Sequence, residues 1–600
     1  MNRSLERILP RVQKPARYTG GEYNAVVKDR RKVEVRYALC FPDTYEIGMS
    51  NLGVRILYGV MNNLPWCWCE RVFAPWGDME EEMRAEGLPL YGLESGDSIA
   101  DFDLIGFSLG YEMAYTNVLN MLDLAGLPVR AEERRELSPI IVAGGTCAFN
   151  PEPLAPFVDI FSLGEGEDVS VELLELYRKA KSESWEKEEF LLAAAKIPGL
   201  YVPSLYDISY HADGTVAAIT PREGAPAVVT KRIVQDFNKS YFPVKTIVPS
   251  TEITQDKVTL EVFRGCIRGC RFCQAGYAYR PVRSRDPELL VKYGIEACKD
   301  SGYQEMTLSS LSTSDYRHLL KLCDGLLEWC EPEKVSLALP SLRADNFSMN
   351  LMHRLQHGKK SGLTFAPEAG TQRLRDAINK NVTEEDLLQS CRTAFSGGWS
   401  SVKLYFMLGL PTETDEDVLG IADLAEKVYQ AWRETTPEPR RGVRITVSTS
   451  FFVPKPHTAF QWEGQISMEE YQRRVKLLRD NMRGRSISYN WHDPDTSVLE
   501  AVFARGDRRV ADVIEEAWRN GAKFDSWSEY FDFRRWQDAF AACGLSMDFY
   551  AARQRDRDEI LPWDMISTGV RKPFLWRERE QCYQNRITRD CRKQCTGCGA

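Results

Sequence analysis

The chain alternates short apolar runs with amphipathic segments, and it does so in two separate series. In the first, from about Val33 to Tyr177, the apolar runs are VEVRYALCFPD, FDLIGFSLG, PIIVAGGT and VDIFSLGEGE, with helix-like stretches such as NLGVRILYGVMNNL between them. This alternation is typical of a doubly wound, Rossmann-like parallel sheet. The loops after such strands converge on one ligand-binding edge, and here they contain Ser108, Gly144 and Gly145.

A second series begins at Lys257. Its apolar runs are KVTLEVF, QEMTLSSL, VSLALPSL, GLTFAPEAG, SVKLYFMLGL and RITVSTSFFVP. Six β/α units in a row predict a partial (β/α)6 barrel, a curved relative of the eight-strand form. The predicted class is therefore α/β with three domains. These are a Rossmann-like domain with a connecting segment (1–240), the barrel (241–485) and a mainly helical region that ends in a cysteine-bearing tail (486–600).

Composition excludes some classes of protein. No window of the 600 residues approaches the roughly 18 uninterrupted apolar residues that a spanning helix needs, so we expect a cytoplasmic protein without a membrane partner. A formal charge of -9 argues against a protein that coats nucleic acid, although it leaves room for a local basic patch.

Sixteen cysteines are present, and in a reducing compartment clustered thiols indicate metal ligands rather than disulfides. Nine of them are scattered singly or as one close pair, and we interpret these as buried small apolar side chains. The other seven fall into two groups. The first is Cys266, Cys270 and Cys273, and the second is Cys582, Cys591, Cys595 and Cys598.

The first group has the spacing Cys266-x3-Cys270-x2-Cys273 and follows the first predicted barrel strand directly. Three thiolates from one glycine-containing loop can hold three irons of a 4Fe-4S cube, which leaves the fourth iron open. A structural zinc loop is the alternative, but zinc requires a fourth protein ligand, and none lies nearby in the sequence.

This triplet, with Phe272 before its last cysteine, resembles the signature of the radical S-adenosylmethionine (radical SAM) superfamily. The resemblance implies that S-adenosylmethionine binds the open iron and is reductively cleaved to a 5′-deoxyadenosyl radical. It also implies an electron donor such as flavodoxin or ferredoxin. The cofactor-binding residues that it implies along the barrel, besides Phe272, are Ser309, Ser310, Glu368, Arg373 and Lys403. For Glu368, a carboxylate at the start of the next helix is the alternative interpretation.

The first domain resembles the cobalamin-binding domain that many radical SAM enzymes carry before the barrel. The resemblance rests on the predicted ligand edge, with Ser108, Gly144 and Gly145, where glycine admits a flat macrocycle close to the backbone. It departs from the family at Tyr45, which stands where other cobalamin domains have the histidine that ligates cobalt. A domain that packs or docks substrate without cobalamin remains the alternative.

The last ten residues repeat the same spacing in Cys591, Cys595 and Cys598, which predicts a second iron–sulfur cluster. Zinc, with Cys582 as fourth ligand, is the alternative. Eight arginines and lysines surround this tail. A solvated helix face explains such a run without RNA, but a basic rim would also suit an anionic macromolecule.

Three functions follow from these features. The leading hypothesis is a radical SAM enzyme that modifies an unidentified small-molecule substrate, with cobalamin-dependent methylation as one form of the reaction. The second is methylthiolation of RNA or protein, in which the tail cluster donates sulfur. The third is an iron–sulfur redox sensor or electron carrier that never cleaves S-adenosylmethionine.

Overall fold

The computed structural model describes residues 3–339, 363–437, 440 and 442–600. Its architecture is mixed α/β with a helical C-terminal region, which confirms the predicted class. Within these residues, no helix is both long and apolar enough to cross a bilayer.

Six strands form the first sheet in the order β2-β1-β3-β4-β5-β6. The first five are parallel, and β6 is antiparallel at the edge. The order 2-1-3-4-5 is that of a flavodoxin-like doubly wound sheet, whose ligands bind at the carboxyl ends of the strands. The strands are β1 (Val35–Phe41), β2 (Cys67–Phe73), β3 (Leu104–Ser108), β4 (Ile140–Gly144), β5 (Ile160–Ser162) and β6 (Leu200–Tyr201).

The sequence does not predict β2, because its run CWCERVF places two charged residues in a buried strand. Both are paired: Glu70 accepts a hydrogen bond from Arg36 at 2.6 Å, and Arg71 bonds Glu94 at 2.7 Å and Glu22 at 2.8 Å. Buried charges persist in a protein core when they are compensated in this way.

The second series forms parallel β/α units in two sheets, β10-β13-β14 and β15-β16-β17-β18. All six predicted strands are present, but the prediction of six is one strand short, because β18 extends the second sheet. Its residues ISYNW are exposed or half-exposed, so they lack the apolar signal of a buried strand. The end of the third predicted strand falls within 340–362, outside the described residues. The strands are β10 (Val258–Glu261), β13 (Glu305–Ser309), β14 (Ser336–Ala338), β15 (Leu363–Glu368), β16 (Ser401–Leu408), β17 (Arg444–Phe451) and β18 (Ile487–Trp491).

Further short strands pair with one another outside these sheets. A hairpin pairs β7 with β8, β11 pairs with β12, and β9 pairs with β19 near the C-terminus. These strands are β7 (Tyr206–Tyr210), β8 (Val216–Pro221), β9 (Val229–Thr230), β11 (Phe263–Arg264), β12 (Arg283–Ser284) and β19 (Ile566–Ser567). The α-helices are Arg3–Ile8, Tyr45–Met49, Leu52–Asn62, Gly77–Glu86, Tyr115–Leu124, Gly166–Glu183, Lys187–Ala194, Gln274–Ala278, Pro287–Ser301, Leu319–Glu333, Gln372–Ala377, Glu384–Ser396, Asp415–Thr435, Met468–Asn481, Pro494–Arg505, Val510–Arg519, Phe533–Ala542, Met547–Ala551 and Lys572–Tyr583.

The C-terminal helices share an apolar core with the first sheet rather than forming a core of their own. Phe503 and Trp536 are buried in the same cluster as Ile105 of β3. Thr116 donates a hydrogen bond to Asp525 at 2.7 Å across this contact. The first domain and the C-terminal helices therefore form one packed unit.

Candidate functional site

The cysteine loop, residues 264–273, leads from β11 into the helix Gln274–Ala278. Gly265 has a φ of +83°, and a Cβ atom there would lie 2.7 Å from the carbonyl oxygens of Tyr279 and Pro281. Only glycine allows this close approach. The loop therefore folds back tightly and presents its three cysteines from one turn.

None of the three thiols of the loop forms a disulfide, and all three are partly accessible. Backbone N–H groups point at two of them: Arg268 N lies 3.4 Å from Cys266 Sγ, and Gly276 N lies 3.4 Å from Cys273 Sγ. Burial and the neighbouring Cys270 thiol raise the pKa of Cys273 to about 12. Deprotonated thiols placed this close repel one another unless a cationic centre neutralises them.

This donor set fits an iron–sulfur cluster. Among the described residues, no three His, Cys, Asp or Glu side chains converge on the position of a single metal ion. In a 4Fe-4S cube each iron takes its own ligand, and hydrogen bonds to the ligating sulfurs tune the reduction potential. The loop provides three thiols that can each bind one iron, and two of these thiols accept hydrogen bonds from backbone N–H groups.

Strand β15 ends at Glu368, whose backbone has a φ of +69°. Its Oε1 accepts a hydrogen bond from Lys380 Nζ at 3.0 Å, and the same ammonium group lies 6.0 Å from the centre of the Phe272 ring. The helix that follows is capped by Thr371, whose hydroxyl accepts from Leu374 N at 3.3 Å, so Glu368 is not its capping residue. Lys380 thus connects the cysteine loop to the tip of β15.

Two other predicted cofactor residues make contacts elsewhere in the barrel. Arg373 donates to the carbonyl oxygen of Thr412 at 2.8 Å and is paired with Asp417. The ammonium group of Lys403 lies 4.4 Å from the centre of the Tyr405 ring, its neighbour on the same face of β16. Neither contact involves the cysteine loop.

A cavity of about 440 Å³ lies between the carboxyl edge of the first sheet and the barrel. Sites for small molecules and cofactors commonly measure about 300–1,000 Å³. Five predicted residues line this one cavity: Ser108, Gly144 and Gly145 from the first sheet, and Ser309 and Ser310 from the barrel. The two predicted ligand edges therefore face each other across a shared site.

Glycine brings the backbone close to this cavity. Gly145 has a φ of +110°, and a Cβ atom there would lie 2.5 Å from Leu109 O. At Gly110, in contrast, a Cβ atom would meet nothing within 4 Å. Gly265 lines the cavity and also belongs to the cysteine loop, so the two features adjoin.

An ionic cluster forms the cavity wall where barrel and sheet meet. Arg264 is paired with Glu261 of β10 at 2.8 Å and with Glu167 at 2.6 Å. Glu165 is paired with Arg283 at 2.6 Å, and its Oε1 is buried with no hydrogen-bond partner within the described chain. The sequence does not single out Arg264 or Lys380, because neither belongs to a spaced motif.

Tyr45, which stands at the position of the usual cobalt-ligating histidine, does not line the cavity. It is buried, and its hydroxyl donates to Glu22 Oε1 at 2.8 Å. Arg71 holds the same carboxylate. Tyr45 is therefore part of a buried network of hydrogen bonds and ion pairs with Glu22 and Arg71.

The second cysteine group lies in the tail. Cys591 and Cys595 are exposed, whereas Cys598 is buried among apolar side chains that include Tyr277. Cys582 lies in a different apolar cluster, together with Ile378. The structure therefore does not bring Cys582 to the other three as a fourth ligand.

Comparison with known proteins places these features in a family. Family models match two regions: "Radical SAM proteins, N-terminal" over residues 53–203, and "Radical SAM superfamily" over residues 260–425. An uncharacterised protein of Methanocaldococcus jannaschii is 29% identical over 481 residues, which span 80% of this chain and 90% of that relative.

More distant similarities are partial. The tRNA-2-methylthio-N(6)-dimethylallyladenosine synthase of Lachnoclostridium phytofermentans is 24% identical over 260 residues, 42% of this chain and 55% of that enzyme. Among solved structures, the radical S-adenosylmethionine methyltransferase TsrM from Kitasatospora setae, with cobalamin and a [4Fe-4S] cluster bound, has a TM-score of 0.45 and 15% identity. The similarity to TsrM covers 69% of this chain and 72% of that one. The two matched family regions contain the sheet edge and the cysteine loop, and the chain therefore belongs to the radical S-adenosylmethionine superfamily.

Proposed function

We propose that Cys266, Cys270 and Cys273 hold the 4Fe-4S cluster at which this radical SAM enzyme cleaves S-adenosylmethionine. When bound, cluster and cofactor supply one-electron cleavage of a carbon–sulfur bond, which yields methionine and a 5′-deoxyadenosyl radical. The observation that carries the proposal is the loop itself. Its three thiols come from one loop beside the cavity, and two of them accept backbone N–H groups.

The chain's own residues orient the cofactor. Lys380 holds the Glu368 carboxylate in place by a hydrogen bond, so that its oxygens accept hydrogen bonds from cofactor hydroxyl or amino groups. Ser309 and Ser310 offer hydroxyl groups at the tip of β13, on the cavity side. Phe272 excludes water on the side of the cysteine loop that packs against the barrel core.

The shared cavity is the proposed site for cobalamin. Its glycine-lined edge admits a flat macrocycle, and the unpartnered Glu165 Oε1 would accept a hydrogen bond from an amide group on its rim. Because Tyr45 is engaged with Glu22, cobalamin would bind without a ligand from that position. The proposed reaction is then radical modification, including methylation, of a small-molecule substrate that enters between sheet and barrel.

Methylthiolation of RNA is the second candidate function. Two observations favour it: the tail has its own three-cysteine group, and one similar enzyme is a tRNA methylthio synthase. It predicts that two molecules of S-adenosylmethionine are consumed per product. In either case the chain needs a reductant, and we propose a cytoplasmic flavodoxin or ferredoxin as the donor.

One anaerobic experiment tests the proposed function. Reconstituted protein with dithionite and S-adenosylmethionine should release 5′-deoxyadenosine, measured by liquid chromatography and mass spectrometry. A loaded, reducible cluster that releases none would contradict the proposal and favour an electron carrier. The stoichiometry of cofactor consumed per modified product separates methylation from methylthiolation.

A further inference from the structure

The tail is fastened to the outside of the cysteine loop. The backbone N–H of Cys591 points at the carbonyl oxygen of Ile267 across 3.4 Å. Asn379 bridges the two segments, because its Nδ2 donates to Gly269 O at 3.0 Å while its Oδ1 accepts from Thr588 N at 3.0 Å. The two cysteine groups are thereby in direct backbone contact.

Two arginines of the loop reinforce this contact. Arg271 is fully buried and donates to the backbone oxygen of Arg586 in the tail at 2.8 Å. Asp315 accepts from Arg268 of the loop and, at 3.1 Å, from Arg592 of the tail. The tail thus has a fixed position relative to the loop.

A buried cation lies between the two cysteine groups. Arg280 is 4% exposed and donates to Arg268 O in the loop at 2.9 Å. Its Nη1 is buried and has no hydrogen-bond partner within the described residues. The tail thiols of Cys591 and Cys598 lie close enough to interact with the charge of Arg280. A buried charge is costly in a protein interior unless it is paired, and negatively charged sulfur ligands would neutralise this guanidinium.

The outer side of the tail is exposed and positively charged. Residues 571–600 contain eight arginines and lysines against three acidic residues, although the whole chain carries a formal charge of -9. Cys591 and Cys595 lie at the surface within this basic segment. Clustered positive charge steers an acidic partner toward the surface and raises its association rate, in a salt-dependent manner.

We infer that the tail is the electron-accepting site of this enzyme: Cys591, Cys595 and Cys598 hold a second iron–sulfur cluster, onto which a small acidic one-electron carrier protein docks. The inference rests on the proposed function, because the cleavage of S-adenosylmethionine at the cysteine loop consumes the electron. The reduced carrier loses one electron to the tail cluster, and that electron passes to the cluster of the cysteine loop. There it breaks one carbon–sulfur bond of S-adenosylmethionine, while the carrier leaves oxidised by one electron.

The experiment compares two reductants on the reconstituted full-length protein. Cluster reduction is followed by stopped-flow absorbance with flavodoxin hydroquinone as the probe, and 5′-deoxyadenosine is measured separately with dithionite. The double variant R586E/R589E reverses two exposed charges of the tail. We expect it to slow reduction by flavodoxin about tenfold at low salt, with unchanged iron content and unchanged dithionite-driven product.

Arg31→Glu is the matched control, because Arg31 is exposed before β1, at the opposite end of the first sheet from the barrel. Reduction of R586E/R589E at the unaltered rate, or an equal slowing in Arg31→Glu, would overturn the inference. An unmodified tRNA transcript tests the other class of partner. If the double variant loses tRNA binding and keeps its reduction rate, the basic surface serves RNA instead.

Cys595→Ala provides an independent test. It should remove the tail cluster signal from the electron paramagnetic resonance spectrum and abolish flavodoxin-driven product, while the first cluster and dithionite-driven product remain. Loss of the dithionite-driven product with the first cluster intact would mean that the tail acts in the chemistry instead. Absence of 5′-deoxyadenosine from the unaltered protein with dithionite would refute the proposed function, whatever the tail does.

Discussion

Lys380 donates a hydrogen bond to Glu368 across 3.0 Å, so one ammonium group fixes the carboxylate at the tip of β15. If that carboxylate contacts S-adenosylmethionine, Lys380 is a positioning residue for the cofactor. Its substitution should change binding of the cofactor without changing the cysteine ligands.

We therefore predict that Lys380→Met weakens S-adenosylmethionine binding about tenfold, the loss of about 1.4 kcal/mol expected for a partly exposed charge-assisted hydrogen bond. Equilibrium titration of the reconstituted protein measures the Kd. Lys427→Met is the control, since Lys427 forms a comparable but exposed pair with Glu384. Equal affinities of the Lys380 variant and the unaltered protein would remove Lys380 from the cofactor site.

The second prediction concerns the cysteine ligands. Cys270→Ala should lower the iron bound at the cysteine loop and abolish 5′-deoxyadenosine release, because a cluster with two thiolates is not retained. Cys582→Ala should retain the iron and product of the unaltered protein, because Cys582 is buried in an apolar cluster that contains none of the six predicted ligand cysteines. Iron analysis and the release of 5′-deoxyadenosine are measured for both variants. Loss of iron in the Cys582 variant would show that the cysteine was wrongly excluded as a ligand.

The third prediction concerns a substitution at Gly110 that fills part of the cavity. A Cβ atom there meets nothing within 4 Å, so Gly110→Leu should fold and occupy ligand space. We expect at least about tenfold less bound cobalamin, as expected when a pocket loses the volume of its ligand. Gly110→Ala, which adds one methyl group, should lose less bound cobalamin than the leucine variant. The absorbance of protein purified from cobalamin-supplemented cells reports the occupancy, and equal uptake by the leucine variant would exclude this cavity as the site.

The fourth prediction concerns pH. His457 is buried, and its Nε2 lies 2.9 Å from the carbonyl oxygen of Phe149, so the barrel and the first domain meet through a neutral ring. Burial lowers the pKa of His457 to about 4. The folded state therefore binds fewer protons than the unfolded state between pH 6.5 and 4, and its stability falls as the pH is lowered through this range, by about 3 kcal/mol in total.

Thermal unfolding midpoints between pH 8 and 5 measure this effect against His457→Asn, chosen because asparagine tolerates the positive φ of 58° at this position. The asparagine variant should be less stable at pH 8, where the histidine contact is intact. The difference should narrow toward pH 5, because only the unaltered protein loses stability by this titration. A constant difference across the range would show that His457 does not titrate on unfolding.

Sequence patterns predict features that depend on residues close together in the chain. Most strands of the parallel sheets follow from apolar runs, with β2 and β18 as exceptions, and the two cysteine triplets follow from their spacing. Ser108 and Ser309 belong to separate predicted domains, yet both lie at strand ends, which is why parallel-sheet geometry predicts that each borders a ligand site.

Features that depend on distant partners are not predictable in this way. Strand β2 contains Glu70 and Arg71, whose burial is favourable only because Arg36 and Glu94 approach from elsewhere in the chain. Lys380 lies in a turn without a motif, and only the fold brings it to Glu368. The contact of Cys591 with the cysteine loop joins residues more than 300 positions apart.

The core that the first sheet shares with the C-terminal helices means that the first domain is discontinuous along the chain. A fragment comprising residues 1–240 would expose the apolar surface that normally covers Phe503 and Trp536, so it should aggregate when expressed alone. Genetic dissection of this enzyme should therefore use point substitutions or co-expression of both ends.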